Sequence, residues 1–128
     1  MIYIIYILLS TSFINATEVQ AQKPNPQVLI GTWKLDMTPH NPDDNNFAMM
    51  HIESTKDNRL TGMFYREGVK LESGSLNSQT GTLYGALVSR DNSGSYNSTF
   101  YLKDGKLYGT THAIDRKFLA VWTATKNK

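Results

Sequence analysis

Gly81-Thr82-Leu83-Tyr84-Gly85 and Gly105-Lys106-Leu107-Tyr108-Gly109 are two copies of one short pattern, and Leu60-Thr61-Gly62 is a fragment of a third. Their leucines fall 23 and 24 residues apart. That interval suits one β-hairpin, two short strands with their turns. Each copy therefore opens every second strand. A glycine two places after an inward leucine lets a strand bend sharply or a neighbouring backbone come close. A meander of such hairpins closes into a barrel when its last strand pairs with its first, which removes both edges. A two-sheet sandwich of the same strands is the second choice.

Working outward from the repeat, turn residues punctuate the chain at 39–46, 56–59, 67–68, 77–81, 90–94, 103–105 and 115–117. Each combines Gly, Asn, Asp or Ser, which tolerate positive φ or bond their own backbone. Between these turns lie eight expected strands, at 29–38, 47–54, 60–66, 69–76, 82–89, 95–102, 106–114 and 118–126. Trp33, Leu35 and Met37 alternate with Lys34, Asp36 and Thr38, so the inward face of the first strand is legible. Met50, Ile52, Leu60, Phe64, Leu71, Leu83, Leu87, Phe100, Leu107 and Trp122 are assigned to the interior, with Phe118 and Ala120 on the face of Trp122. The fold class is all-β: an eight-stranded antiparallel up-and-down barrel.

The 128 residues are 40% hydrophobic and 19% charged, the proportions of a folding domain rather than of a disordered chain. A formal charge of +2 is too small to argue for nucleic acid or a membrane surface. Without cysteine there is no disulfide framework, no thiolate metal site and no cysteine nucleophile. The opening run from Met1 to Ile14 is apolar and shorter than a membrane span. It has the size of a signal-peptide core, and Val19-Gln20-Ala21 supplies a cleavage pattern. Residues 1–21 are therefore expected to be removed, with Ala16 as the second cleavage choice. The mature protein would be secreted or periplasmic. Residues 22–27, with Pro24 and Pro26, read as an extended leader, and 28–128 as the barrel.

Ile30-Gly31-Thr32-Trp33-Lys34-Leu35, opening a strand just after the leader, resembles the Gly-x-Trp signature of the lipocalin and avidin barrels, the calycin group. The closing stretch from Phe118 through Trp122-Thr123-Ala124-Thr125-Lys126 is similar to the last strand of small secreted bacterial lipocalin-like domains. The resemblance implies a barrel plugged at one end by Trp33 and holding a small, largely apolar molecule. The chain is shorter than an ordinary lipocalin. The later tryptophans that wall the biotin pocket of avidins are absent, since the only other tryptophan is Trp122.

Catalytic chemistry finds little footing. His40, His51 and His112 lack the close spacing of metal ligands. Ser98, His112 and Asp115 can be drawn as a triad, but no Gly-x-Ser-x-Gly elbow supports a nucleophile. Asp43-Asp44 sit in a polar loop with Asn45-Asn46, where solvation accounts for them. No catalytic residue, metal ligand or cofactor is assigned, and an enzyme is not expected. Tyr65, Tyr84, Tyr96, Tyr101 and Tyr108 fall in strands, where they either stack on a sugar or aromatic ligand or simply cover the outer sheet. The basic residues look scattered, so oligonucleotide binding is not expected.

The expected function is a secreted barrel binding a small hydrophobic ligand, with interior residues Trp33, Leu35, Met50, Phe64, Leu87, Phe100 and Trp122 as the contact set. No membrane insertion is expected after signal cleavage. The alternatives are a protein-interaction module, such as an exported protease inhibitor working through residues 22–27, or a structural envelope protein without a ligand.

Overall fold

The computed structural model describes residues 23–127. The expected signal segment, residues 1–21, and its expected cleavage site lie outside the described residues. The eight strands are β1 (Gly31–Asp36), β2 (Phe47–Ser54), β3 (Thr61–Tyr65), β4 (Leu71–Asn77), β5 (Tyr84–Asp91), β6 (Gly94–Lys103), β7 (Lys106–Ala113) and β8 (Phe118–Lys126). All neighbours pair antiparallel, in the order β3-β2-β1-β8-β7-β6-β5-β4. The last strand returns to the first: Leu35 stands opposite Ala124 and Trp33 opposite Lys126.

The two outer strands of that order, β3 and β4, meet through isolated bridges, Arg59 with Ser75 and Met63 with Lys70. Leu60 donates its N–H to the Gly74 carbonyl at 3.0 Å, and Phe64 donates to the Val69 carbonyl at 2.9 Å. At Gly74 a Cβ would stand 2.6 Å from the Leu60 Cβ and 2.8 Å from its carbonyl oxygen, so only glycine permits this approach. The result is a nearly closed eight-stranded up-and-down barrel, an architecture compatible with the calycin group.

Strand ends differ from expectation by a few residues. Val69 belongs to the tight β3–β4 turn rather than to β4, because it accepts from Phe64 and donates to the Arg66 carbonyl. The inward set holds with three exceptions of degree: Met37, Leu71 and Ala120 are only partly buried. Phe118 shares the face of Trp122 but sits at the strand's start, where the wall ends, and is 40% exposed.

Pro26 and Gln27, expected to finish an extended leader, instead enter a 3-10 turn, Pro26–Leu29. Asn25 caps it, its side-chain oxygen accepting from the Gln27 N–H at 3.0 Å. The turn delivers Leu29, fully buried, beneath the barrel, and its carbonyl accepts the Trp33 indole N–H at 2.8 Å. Lys126 Nζ donates to the Val28 carbonyl at 3.0 Å, so the first turn and last strand are tied together.

Candidate binding surface

The seven residues expected to contact a ligand, Trp33, Leu35, Met50, Phe64, Leu87, Phe100 and Trp122, are all buried in one continuous cluster. Their rings pack on each other: Trp122 lies 6.0 Å from Phe64 and 6.4 Å from Phe100 between centroids, both tilted. The repeat glycines explain the fit. Gly85 pairs with Phe100 and Gly109 with Trp122 across neighbouring strands. A Cβ at either position would collide with the facing ring. The space these glycines leave is thus occupied by the protein's own aromatics, a cross-strand arrangement that anchors register. Gly62 is different: it has φ +148°, and its Cβ would meet the His51 backbone carbonyl.

Toward the other end of the barrel the lining turns polar. Trp122 Nε1 donates to Thr111 Oγ1 at 2.9 Å, and Thr111 shares a second bond with Ser98 Oγ at 2.8 Å. Sequence reading misses these inward hydroxyls and the fully buried Ser89, whose Oγ has no hydrogen-bond partner among the described residues. Tyr96 also points inward at 3% exposure, unlike the outward tyrosines of the same stretch. Its hydroxyl donates to both oxygens of Asp91, at 3.0 and 3.2 Å. Burial pushes the Tyr96 phenol above its ordinary value; the Asp91 carboxylate adds to the rise, while Arg116 opposes it. Asp91 accepts further bonds from the Ser93 N–H at 2.7 Å and from Arg66 at 3.4 Å. A hollow of about 40 Å³ remains at this mouth, lined among others by Met37, Phe64, Thr111, Arg116, Phe118 and Ala120.

The outer face of β5–β8 holds more room. Tyr84 stands opposite Tyr101, Tyr101 opposite Tyr108, and Tyr108 opposite Thr123. Tyr101 and Tyr108 are stacked at 5.3 Å and 15°, and Tyr84 leans on Tyr101 at 6.0 Å and 52°. The next row is Ala86, Thr99, Thr110 and Val121. Small Thr99 and Thr110, bonded to each other at 3.0 Å, form a low shelf beside the tall tyrosines. The open groove so formed measures about 350 Å³, and its floor is the strand wall at Gly109, Phe100 and Trp122, with the two rings pointing inward. Val121 and Leu119 beside it are 60% and 62% exposed.

The same face gathers lysines that look scattered along the chain. Lys103 pairs with Lys106, and Lys34 with Thr125. Lys34, Lys106, Asp36, Phe47, Thr123 and Thr125 line a second depression of about 190 Å³. Only strand register, which brings β1 beside β8 and β8 beside β7, reveals this row.

The other candidates disperse. Ser98 faces the interior while His112 is exposed on the outside, so the wall separates them. His51 Nδ1 is bonded to Thr32 Oγ1 at 2.9 Å on β2, with β1 and β8 standing between it and β7. No protein-family model, curated protein or solved structure matches this chain.

Proposed function

We propose that the protein is a non-catalytic, exported barrel that binds a small, largely apolar molecule, and that the molecule lies in the outer groove beside Tyr84, Tyr101 and Tyr108. The observation that carries this reading is lining: the groove is walled by Tyr84, Tyr101, Tyr108 and Val121, whereas two other depressions of about 330 and 400 Å³ are lined largely by polar residues such as Arg59, Glu72, Glu53 and Lys56. The groove's roughly 350 Å³ falls in the range of small-molecule sites, whereas the mouth offers about 40 Å³. Aromatic walls with a few hydroxyls give stacking area and orientation together. The Gly-x-Trp opening and the nearly closed barrel support kinship with secreted lipocalin-like binders.

A second reading keeps the ligand inside. The mouth hollow, walled by Met37, Phe64, Phe118 and Ala120, supports it, provided Phe118 and Arg116 swing aside. A protein-interaction module working through the leader has less to offer, because Pro26 and Gln27 are committed to the capped turn.

Titration with N-phenyl-1-naphthylamine, an uncharged fluorescent naphthalene, tests the groove. Saturable one-to-one binding is expected, weakened by Tyr101→Ala and unchanged by Phe118→Ala. Stronger binding in Phe118→Ala, with Tyr101→Ala neutral, would move the ligand to the mouth. Absence of saturable binding would overturn both sites.

A further inference from the structure

Resting on the outer-groove reading, we infer that the ligand is an amphiphilic acid: a free small molecule with an apolar body against the tyrosines and an anionic group held by Lys34 and Lys106. The two depressions on this face are contiguous, since Thr123 lines both. The larger is walled by Tyr84, Tyr101, Tyr108 and Val121. The smaller carries two ammonium groups. Lys106 Nζ stands 5.9 Å from the Tyr108 ring centre and Lys34 Nζ 4.0 Å from the Phe47 ring centre. Tyr108 and Phe47 belong to one cross-strand row, with Thr123 and Asp36 between them.

Charge complementarity selects the ligand. Among the described residues neither lysine is in an ion pair. A ring face attracts an ammonium without neutralising it, so both keep their charge for a partner. Among the described residues Asp36 is the single carboxylate lining the depression, and its Oδ1 already accepts the Thr38 N–H at 3.0 Å. Two cations face one anion there, and the adjoining turn carries one charge of each sign, Lys103 and Asp104. Thr123 and Thr125 add hydroxyl donors beside the ammonium groups. An acid placed with its head at Thr125 and its body along Tyr108 and Tyr101 matches both compartments. A neutral apolar molecule uses only one.

Two probes separate the claims: 8-anilinonaphthalene-1-sulfonate, an aromatic acid, and uncharged N-phenyl-1-naphthylamine. The acid should bind one-to-one and more tightly, and should weaken as salt is raised while the neutral probe does not. The double variant Lys34→Ala/Lys106→Ala should raise the acid's Kd about tenfold at low salt and leave the neutral probe unaffected. Lys34→Arg/Lys106→Arg should bind the acid like the unmodified protein, which shows that charge matters rather than packing. If the neutral probe binds and the lysine variants leave the acid's affinity unchanged, the acid assignment is overturned and the groove survives. If neither probe binds, the groove reading itself falls. Binding to phosphatidylglycerol vesicles without binding of free acid, or dimerisation that excludes both probes, would overturn the proposal in favour of a membrane or a second copy.

Discussion

The two ends of the barrel are closed by opposite means. At one end Leu29, Leu35, Leu83 and Leu107 pack with Trp33, and the one polar atom of the indole is satisfied by the Leu29 carbonyl. At the other, Ser98, Thr111, Tyr96 and Asp91 form bonded groups around a small hollow. Apolar packing tolerates no gap, because each lost contact and each cavity adds directly to the cost. Hydroxyl networks hold geometry while each net bond contributes only about 1 kcal/mol. The difference teaches that stability is concentrated at the Trp33 end and that the mouth is the end with freedom to vary.

The sharpest way to break that contrast is Trp33→Ala. Losing a buried indole should cost about 3–5 kcal/mol, a large part of the roughly 5–15 kcal/mol that holds a domain together. Thermal melts should show a midpoint lower by well over about ten degrees. Lys34→Ala, one residue along and outward, should change stability by less than about 0.5 kcal/mol. Equal melts for the two variants would show that Trp33 is no plug.

Thr111→Val sharpens it at the mouth. The shape is kept, but the acceptor of Trp122 Nε1 and the partner of Ser98 are lost. Two buried polar groups then lack partners, at about 1–3 kcal/mol in urea unfolding. A cost matching that of Trp33→Ala would erase the distinction between the ends.

Tyr96→Phe should cost less than either Trp33→Ala or Thr111→Val, about 1 kcal/mol near neutral pH from the lost Asp91 bonds. Its signature is alkaline. The Tyr96 phenol is raised in the folded state, so folding favours the protonated form. That contribution is full below the unfolded value near pH 10 and is lost as pH rises through the folded value. The variant's stability should decline less steeply over that alkaline range, as measured by melts against pH. Parallel declines would mean that burial in the folded protein does not raise the Tyr96 phenol.

Much of this architecture was legible because turn residues and strand alternation are local signals. The eight strands, the return of β8 to β1 and the inward Trp33, Phe64, Phe100 and Trp122 all follow from spacing along the chain. Ser98 and Thr111 were not legible, because a hydroxyl whose partner is 13 residues away reads as a surface residue. Tyr96 and Tyr101 look alike in sequence, yet they stand on opposite faces of β6 because their spacing is odd. The outer groove and lysine row depend on cross-strand register, which composition and periodicity do not contain. Asn25 followed by Pro26 is a local signal of the capped turn, but Pro24 and Pro26 together equally suit an extended leader.

The pairing of β1 with β8 also governs the order of events in folding. The hairpins from β5 to β8 need only neighbours in sequence, so they can form as soon as each turn emerges from synthesis. β1 can join β2 early, yet its second edge stays open until β8 has been made, nearly the whole domain later. Closing a loop of that length is entropically expensive and slow, and until it happens β1 offers an unpaired edge to other chains. The pairing of Trp33–Asp36 with Thr123–Lys126 ends this exposure, and Lys126, bonded to the Val28 carbonyl, adds a tie beside it. Aggregation during production should therefore be governed by how promptly the final strand docks, more than by the stability of the finished barrel.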